Sequence, residues 1–140
     1  MTVLLDTNII MDALQERQPF DAEAKEILKR SQSAKEFTSL FTANAVADVF
    51  YLYSKARDMK SAKAALEFLI KNYGVVTVSQ DDCSAALSLP TDDFEDALVA
   101  VCAQNANADY IITRDADLLS TKLTVKVISP KDFIDMLTAT

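Results

Sequence analysis

The 140-residue chain is 50% hydrophobic and carries a net charge of −7, from 21 acidic and 14 basic residues. The hydrophobic content excludes general disorder, and the negative charge argues against a protein that coats nucleic acid, which would be basic. Histidine is absent and Gly74 is the only glycine, which excludes Ser-His catalysis, imidazole zinc sites and glycine-rich phosphate loops.

Short apolar runs and helical periodicities alternate through the first half of the chain. The run at 3–5 predicts a buried strand, and a second, short strand is expected at 37–40. The periodicity predicts four helices, at 9–14, 21–31, 42–55 and 61–72. We expect Gly74 to end the last of these helices, because glycine is favoured directly after a helix.

The second half of the chain continues the same alternation. β-Branched runs predict strands at 75–78, 110–113 and 125–128. Helices are expected at 81–89, 92–105 and 130–137, the last opened by Pro130. Because the strands are too continuously apolar to leave a solvated face, the pattern predicts a three-layer α/β/α fold with a mainly parallel central sheet. No linker or repeat interrupts the pattern, so we expect a single domain, 1–140.

The sequence is that expected of a cytoplasmic protein without membrane contact. No apolar run reaches the roughly 20 residues that span a bilayer, and no basic stretch precedes the first apolar segment, as it would in a signal peptide. Cys83 and Cys102 do not have a metal-binding spacing. We expect both to be reduced thiols, and Cys102 to lie in the core.

Acidic residues follow two of the predicted strands. Asp6 comes directly after the first strand, and Asp115 and Asp117 follow the strand at 110–113. Ligand sites in open parallel sheets lie beyond the carboxyl ends of strands, although aspartate is also favoured in turns and helix caps. A functional site and a structural cap both remain open as interpretations at this point.

The segment TDDFED at 91–96 places four acids at the start of a predicted helix. Asp92 as N-cap, with Glu95 three residues later, resembles a capping box. Asp96 does not fit that role, because the helix beyond it is apolar nearly all round and therefore buried. Asp93 and Asp96 lie on one side of the helical wheel, where a cation would relieve their repulsion. A functional role is favoured for these two residues.

Asp48 lies on a polar helix face with Asn44, Tyr51 and Lys55, and the helical wheel alone predicts that this face is solvated. Separated carboxylates without histidine suit Mg²⁺ or Mn²⁺, which prefer oxygen ligands. Such an ion lowers the pKa of a bound water, so phosphoryl chemistry needs no histidine base.

Four segments occur in the order typical of a PIN domain: LLDTNIIMD (4–12), NAVADVFYL (44–52), DFEDALVAVCA (93–103) and ADYIITRDADLL (108–119). The chain resembles a single-domain PIN protein, similar to the VapC-type toxins of bacterial toxin–antitoxin pairs, over essentially its whole length. The resemblance implies an endoribonuclease that hydrolyses RNA phosphodiester bonds with Mg²⁺ or Mn²⁺. It further implies a homodimer and a cognate antitoxin.

The resemblance carries the family's catalytic acids onto four residues, Asp6, Asp48, Asp96 and Asp115. It implies metal ligation by Asp6, Asp93 and Asp96, and by Asp115 or Asp117, which share the last motif ambiguously. The second family acid is usually glutamate, so the shorter Asp48 is a departure that bears on metal geometry. Asn8 matches the family's polar residue two positions after the first acid and is assigned to substrate binding.

Basic and apolar residues suggest contacts with RNA and with a partner. Arg114, beside Asp115, is expected to contact a phosphate, and Lys55 to belong to a cationic rim around the acids; ordinary solvated surface is the alternative. Large apolar residues near the first helix and on the helix bearing Asp48 would form an exposed patch or belong to the core; they are Met11, Leu14, Phe20, Tyr51 and Tyr53.

A different class of function stays open, namely a PIN scaffold that binds RNA or protein without cutting it. Loss of two core acids would favour that class, whereas this sequence keeps all four as carboxylates. A haloacid dehalogenase-type phosphatase needs a second aspartate where this chain has Asn8. A receiver domain needs an acid directly after the strand at 75–78, where this chain has Ser79.

Overall fold

The computed structural model describes residues 1–139. Five parallel strands form one sheet: β1 (Thr2–Leu5), β2 (Thr38–Thr42), β3 (Gly74–Val76), β4 (Tyr110–Ile112) and β5 (Lys126–Ile128). Their order across the sheet is β3-β2-β1-β4-β5, which places β1 at the centre. The predicted α/β architecture is therefore confirmed.

Eight helices within residues 1–139 cover the sheet: α1 (Thr7–Leu14), α2 (Asp21–Gln32), α3 (Ala43–Ala56), α4 (Met59–Asn72), α5 (Gln80–Ala86), α6 (Phe94–Asn105), α7 (Ala116–Ser120) and α8 (Pro130–Ala139). Helices α1–α4 and α8 pack on one side, in cores that contain Phe41 and Phe133. Helices α5 and α6 pack on the other side, around Leu4 and Ile111. Helix α7, which the sequence pattern did not predict, adds Leu118 to that second core.

Strand β1 shows why its sequence is apolar without alternation. Val3 and Leu5 belong to one core and Leu4 to the core on the opposite face. All three side chains are at most 2% exposed. A strand buried on both faces has no position at which a polar side chain would reach water, so the first polar residue, Asp6, marks the end of the strand.

Gly74 does not end helix α4, contrary to the prediction. Tyr73 is the C-cap of that helix, and Gly74 begins β3. A Cβ atom at this position would overlap Cδ2 of Leu40 on the neighbouring strand β2. The side chain of Leu40 therefore occupies the space beside Gly74, and a larger residue here would require that side chain to move.

Most of the large apolar residues considered for an exposed patch belong to the core. Met11 and Tyr53 are buried, and Leu14 is partly buried against the same cluster. Phe20 and Tyr51 are exposed, Tyr51 to 61%. Both cysteines are unpaired, and Cys102 is buried. No helix within residues 1–139 is long and apolar enough to cross a bilayer.

Candidate active site

A cleft of about 350 Å³ opens beyond the carboxyl ends of β1 and β4. The chain continues from β1 to β2 on one side of the sheet, while β4 and β5 lie on the other. A crevice forms at such a switch point because the connections leave in opposite directions. Six carboxylates line the cleft: Asp6, Asp48, Asp93, Glu95, Asp96 and Asp115.

Asp6 is held from both its backbone and its side chain. Its backbone N–H donates to the carbonyl of Ile112 at 3.0 Å, next to the last β1–β4 pair. Its Oδ1 accepts from the N–H of Thr7 at 2.8 Å, which makes Asp6 the N-cap of α1. Its Oδ2 accepts from Nδ2 of Asn8 at 3.1 Å. Burial raises the pKa of this carboxyl despite these hydrogen bonds.

Thr113 links the two acids that follow the central strands. Its fully buried hydroxyl donates to Oδ2 of Asp6 at 2.7 Å and accepts from the backbone N–H of Asp115 at 3.0 Å. The sequence analysis assigned this residue only to the strand. Its β-branched side chain is typical of a strand, and only the pairing of β1 with β4 reveals the partner of its hydroxyl.

The N-cap of helix α6 lies one residue later than predicted, and this changes the role of its first acids. The N-cap is Asp93, whose Oδ1 accepts from the backbone N–H of Asp96 at 3.2 Å. The assignment of Asp92 as the cap is therefore wrong, and Asp92 does not line the cleft. Asp93 has both roles: it caps the helix and lines the cleft.

Asp96 is 7% exposed, in the first turn of a helix whose later side chains are nearly all buried. Burial, reinforced by the negative charges of Asp93, Asp115 and Asp6, raises the pKa of Asp96 to about 6. Ionised Asp96 is therefore costly in the protein as it stands. The helix N-terminus offsets only part of that cost.

Asp48 and Glu95 meet across the cleft from opposite helical layers. The helix face predicted to be solvated is exposed at Tyr51 and Lys55, whereas Asp48 on the same face is half-buried and lines the cleft. The predicted capping role is wrong for Glu95, because the side chain of Asp93 caps the helix by accepting from the backbone N–H of Asp96. A hydrogen bond between the carboxyls of Glu95 and Asp48, together with burial and repulsion, raises the pKa of Glu95 to about 7.

Glu95 is thus a cleft carboxylate that the sequence analysis did not assign to the site. The signal available in the sequence was its place in a helix start with more acids than capping requires. Its encounter with Asp48, 47 positions away in the chain, depends on how α3 and α6 approach each other. The local periodicity of the sequence carries no information on how these two helices approach each other.

The structure separates the two candidates for the last acid. Asp115 lines the cleft and is the N-cap of α7, accepting from the backbone N–H of Asp117 at 2.9 Å. Asp117 lines a neighbouring depression that also includes Asp92 and Asp93. Asn8 lies in the cleft, where its Oδ1 accepts from the backbone N–H of Arg114 at 3.4 Å.

Arg114 is placed differently from the expected phosphate contact. Its guanidinium binds Asp12 of α1 through Nε to Oδ2 at 2.6 Å and Nη2 to Oδ1 at 2.9 Å. Asp12 is 1% exposed, and the same guanidinium lies 3.8 Å from the ring centroid of Phe20. This bidentate, stacked geometry joins α1 to the segment after β4. Lys55 lies outside the cleft, with Nζ 5.5 Å from the ring centroid of Tyr51.

The cleft has an uncompensated negative charge. None of its six carboxylates forms an ion pair with a lysine or arginine within residues 1–139. No group of three or more acidic or cysteine side chains within residues 1–139 is arranged so that it could hold a metal ion. An open pocket of oxygen donors nevertheless fits Mg²⁺ or Mn²⁺, because Mg²⁺ keeps several waters and usually needs only one or two carboxylates. Fold and cleft together define a three-layer α/β protein with an acidic cleft at the carboxyl ends of two inner strands of its sheet.

The chain belongs to the PIN-domain family: a family model described as PIN domain matches residues 2–117. A comparison with curated proteins gave no match.

Solved structures share the fold at low sequence identity. The VapBC2 structure from Rickettsia felis, bound to a DNA fragment of its promoter, has a TM-score of 0.72 at 18% identity, covering 92% of this chain and 98% of that one. A toxin–antitoxin complex from Klebsiella pneumoniae has a TM-score of 0.68 at 23% identity, covering 91% and 97%. PAE2754 from Pyrobaculum aerophilum has a TM-score of 0.65 at 17% identity, covering 100% and 97%.

The first prediction concerns the structural role of Arg114. Replacing it in Arg114→Met leaves the buried carboxylate of Asp12 with only Arg17, 3.8 Å away. We expect the free energy of unfolding in urea to fall by about 3 kcal/mol, the lower end for breaking a buried pair. Lys131→Met, which breaks the exposed pair with Asp135, should cost about 0–1 kcal/mol. Equal effects of the two changes would contradict the structural role.

The second prediction concerns the pH dependence of metal-free stability. The raised pKa of Glu95, about 7 against an ordinary 4.5, means that the folded state binds the extra proton between these values. Stability from this group is therefore lost as pH rises through that window. Glu95→Gln should raise the unfolding temperature in chelator at roughly pH 8 and change it little at roughly pH 5.

The control for this prediction is Glu67→Gln, an exposed change on α4. Scanning calorimetry should show the same unfolding temperature as for the parent protein at both pH values. A Glu95→Gln effect of equal size at both pH values would show that a cause other than titration produces it.

Proposed function

We propose that the protein is a metal-dependent endoribonuclease that hydrolyses RNA phosphodiester bonds. The observation that carries the proposal is the group of six unpaired carboxylates around one cleft at the switch point of a PIN-domain sheet. Holding so many acids together without a cation is costly, as the raised pKa values of Asp6, Glu95 and Asp96 indicate. Clusters of acids with raised pKa values are typical of functional sites.

The candidate ligands of the cation are four acids, of which one or two would bind the ion directly and the others through its waters: Asp6, Asp93, Asp96 and Asp115. The chemistry that a bound Mg²⁺ or Mn²⁺ supplies is a lower pKa for water and an offset of the phosphate charge. Asp117 is the weaker candidate, because it lines the neighbouring depression. These acids belong to several elements of the fold, so a cation bound to them would meet a phosphate that enters from the open side of the cleft.

Other residues orient this set or handle protons. Thr113 and Asn8 hold Oδ2 of Asp6 in one position, so Asn8 acts on substrate through the acid that it binds. The carboxyl of Glu95 meets that of Asp48, and its pKa of about 7 lets Glu95 hold a proton near neutral pH. Such a group can accept a proton from the attacking water or return one to the leaving oxygen.

We further propose that the protein is the toxin of a toxin–antitoxin pair, active as a homodimer in the cytoplasm. Support comes from the family and from similar solved structures, which include VapBC complexes and a toxin–antitoxin complex. An antitoxin that places an arginine or lysine among the carboxylates would neutralise the same charge as the metal ion. Inhibition and metal binding would then compete for one cleft.

The third prediction tests cleavage. The protein should cut RNA with Mg²⁺ or Mn²⁺ and stop in excess chelator. Asp6→Asn and Asp96→Asn should each lower kcat/KM by more than the roughly 10- to 100-fold that changes around metal ligands cost. The matched change Asp81→Asn, at an exposed acid of α5, should leave cleavage intact. Undiminished cleavage in chelator would exclude the metal mechanism, and wild-type rates for both site variants would exclude this site.

The fourth prediction tests the partner. The product of a small gene beside this one should bind the protein and inhibit cleavage, and rising Mg²⁺ should weaken that inhibition because both occupy the acidic cleft. Calorimetric titration at two Mg²⁺ concentrations measures the competition, and light scattering measures the dimer. A neighbouring gene product that neither binds nor inhibits would remove the antitoxin from the proposal, and a strict monomer would remove the dimer.

A further inference from the structure

One large aromatic side chain lines the acidic cleft and remains exposed to solvent. Tyr51 lies on α3 three residues after Asp48, hence on the same helix face, and both line the cleft. The side chain is 61% exposed. Most other apolar rings of the protein are packed in the cores, as Phe41 and Phe133 are.

The three other exposed phenyl rings, those of Phe20, Phe68 and Phe94, have different surroundings. Phe94, 45% exposed at the start of α6, does not line the cleft. Phe20 lies against the guanidinium of Arg114. Phe68, 51% exposed on α4, packs edge-on against Tyr73 at a centroid distance of 6.3 Å and does not line the cleft. Tyr51 is distinguished by its position among carboxylates, with a cation as its neighbour, because Nζ of Lys55 is 5.5 Å from its ring centroid.

We propose that the Tyr51 ring is a stacking platform for a base of single-stranded RNA whose phosphate is held at the carboxylates. This inference rests on the proposed function and adds a specificity-determining residue to it. A base in single-stranded RNA exposes its face and can stack on a tyrosine, whichever base it is. In a duplex the same face is covered by the neighbouring base pair. The ring therefore favours single-stranded substrate without favouring a sequence.

Charge complementarity supports RNA as the occupant. The cleft itself is negative, and a phosphate enters it only with divalent cations. Lys55 supplies a positive charge next to the ring and outside the carboxylate set. A nucleotide with its base on Tyr51 and its phosphate in the cleft would place the adjoining backbone near this lysine. The base would then contact the ring of Tyr51, the phosphate the cations in the cleft, and the adjoining backbone Lys55.

The size of the effect follows from measured stacking. Removing one base–aromatic stack weakens single-stranded binding by roughly 5- to 150-fold. The loss should appear in KM, because the ring binds the substrate and does not touch the reacting atoms. It should be absent for RNA held in a duplex, whose bases are already stacked.

The experiment compares Tyr51→Ala, Tyr51→Phe and Phe68→Ala. Cleavage kinetics on a short labelled single-stranded RNA, with Mg²⁺, should show KM raised at least about 5-fold for Tyr51→Ala, with little change in kcat. Tyr51→Phe keeps the ring and should restore the parental KM. Phe68→Ala removes another exposed ring, which lies away from the cleft, and should leave KM at the parental value. The same RNA annealed to its complement is the matched substrate control.

Binding is measured separately from cleavage, so that failure of the inference differs from failure of the proposed function. Fluorescence anisotropy of the labelled strand with Ca²⁺ reports affinity without requiring catalysis. Ring-dependent binding without any cleavage in Mg²⁺ or Mn²⁺ would overturn the nuclease and keep the stacking role. Cleavage with the same KM for Tyr51→Ala as for the parent would overturn the stacking role and keep the nuclease.

Two further outcomes would also overturn the inference. A Tyr51→Phe variant as impaired as Tyr51→Ala would show that the hydroxyl acts and not the ring. Loss of a dimer in Tyr51→Ala, seen by light scattering over a concentration series, would assign the ring to contact between two copies of the chain. Circular dichroism of each variant checks that the fold is retained.

Discussion

The site depends on the parallel pairing of β1 with β4. The hydrogen bond from the N–H of Asp6 to the carbonyl of Ile112 continues this pairing to the residue after β1. It thereby sets Asp6 beside Thr113, whose hydroxyl reaches both Asp6 and the backbone of Asp115. Because two central strands of a packed sheet cannot slide without unpacking both cores, the two acids keep one relative position. The N-terminal starts of α1 and α7 follow from that position.

The remaining acids reach the cleft from the helical layers. Helix α3 brings Asp48 from one side of the sheet, and α6 brings Asp93, Glu95 and Asp96 from the other. The negative charges of neighbouring acids contribute to the raised pKa values of Glu95 and Asp96. The fold thus holds a charge distribution that is unfavourable without a counter-charge, which is common at functional sites.

The nearest basic residue in the sequence does not relieve this charge. Arg114 directly precedes Asp115, yet its guanidinium is bound to the buried Asp12 and stacked on Phe20. The fold uses this cation to join α1 to the segment after β4 and leaves the cleft negative. A free guanidinium in the cleft would compete with a metal ion for the same carboxylates. The ion pair therefore joins two elements of the fold and leaves the cleft carboxylates without a basic partner.

Sequence alone determined the alternation of strands and helices, the parallel sheet and the strand-end positions of Asp6 and Asp115. These follow from local patterns, because a strand buried on both faces must be apolar throughout and its first polar residue marks its end. Tertiary structure alone decided the hydroxyl partners of Thr113, the meeting of Glu95 with Asp48, and the pairing of Arg114 with Asp12. Sequence periodicity predicts which face of a helix or strand is buried. The contacts named above join elements that are far apart in the chain, so only the packing of the helical layers on the sheet determines them.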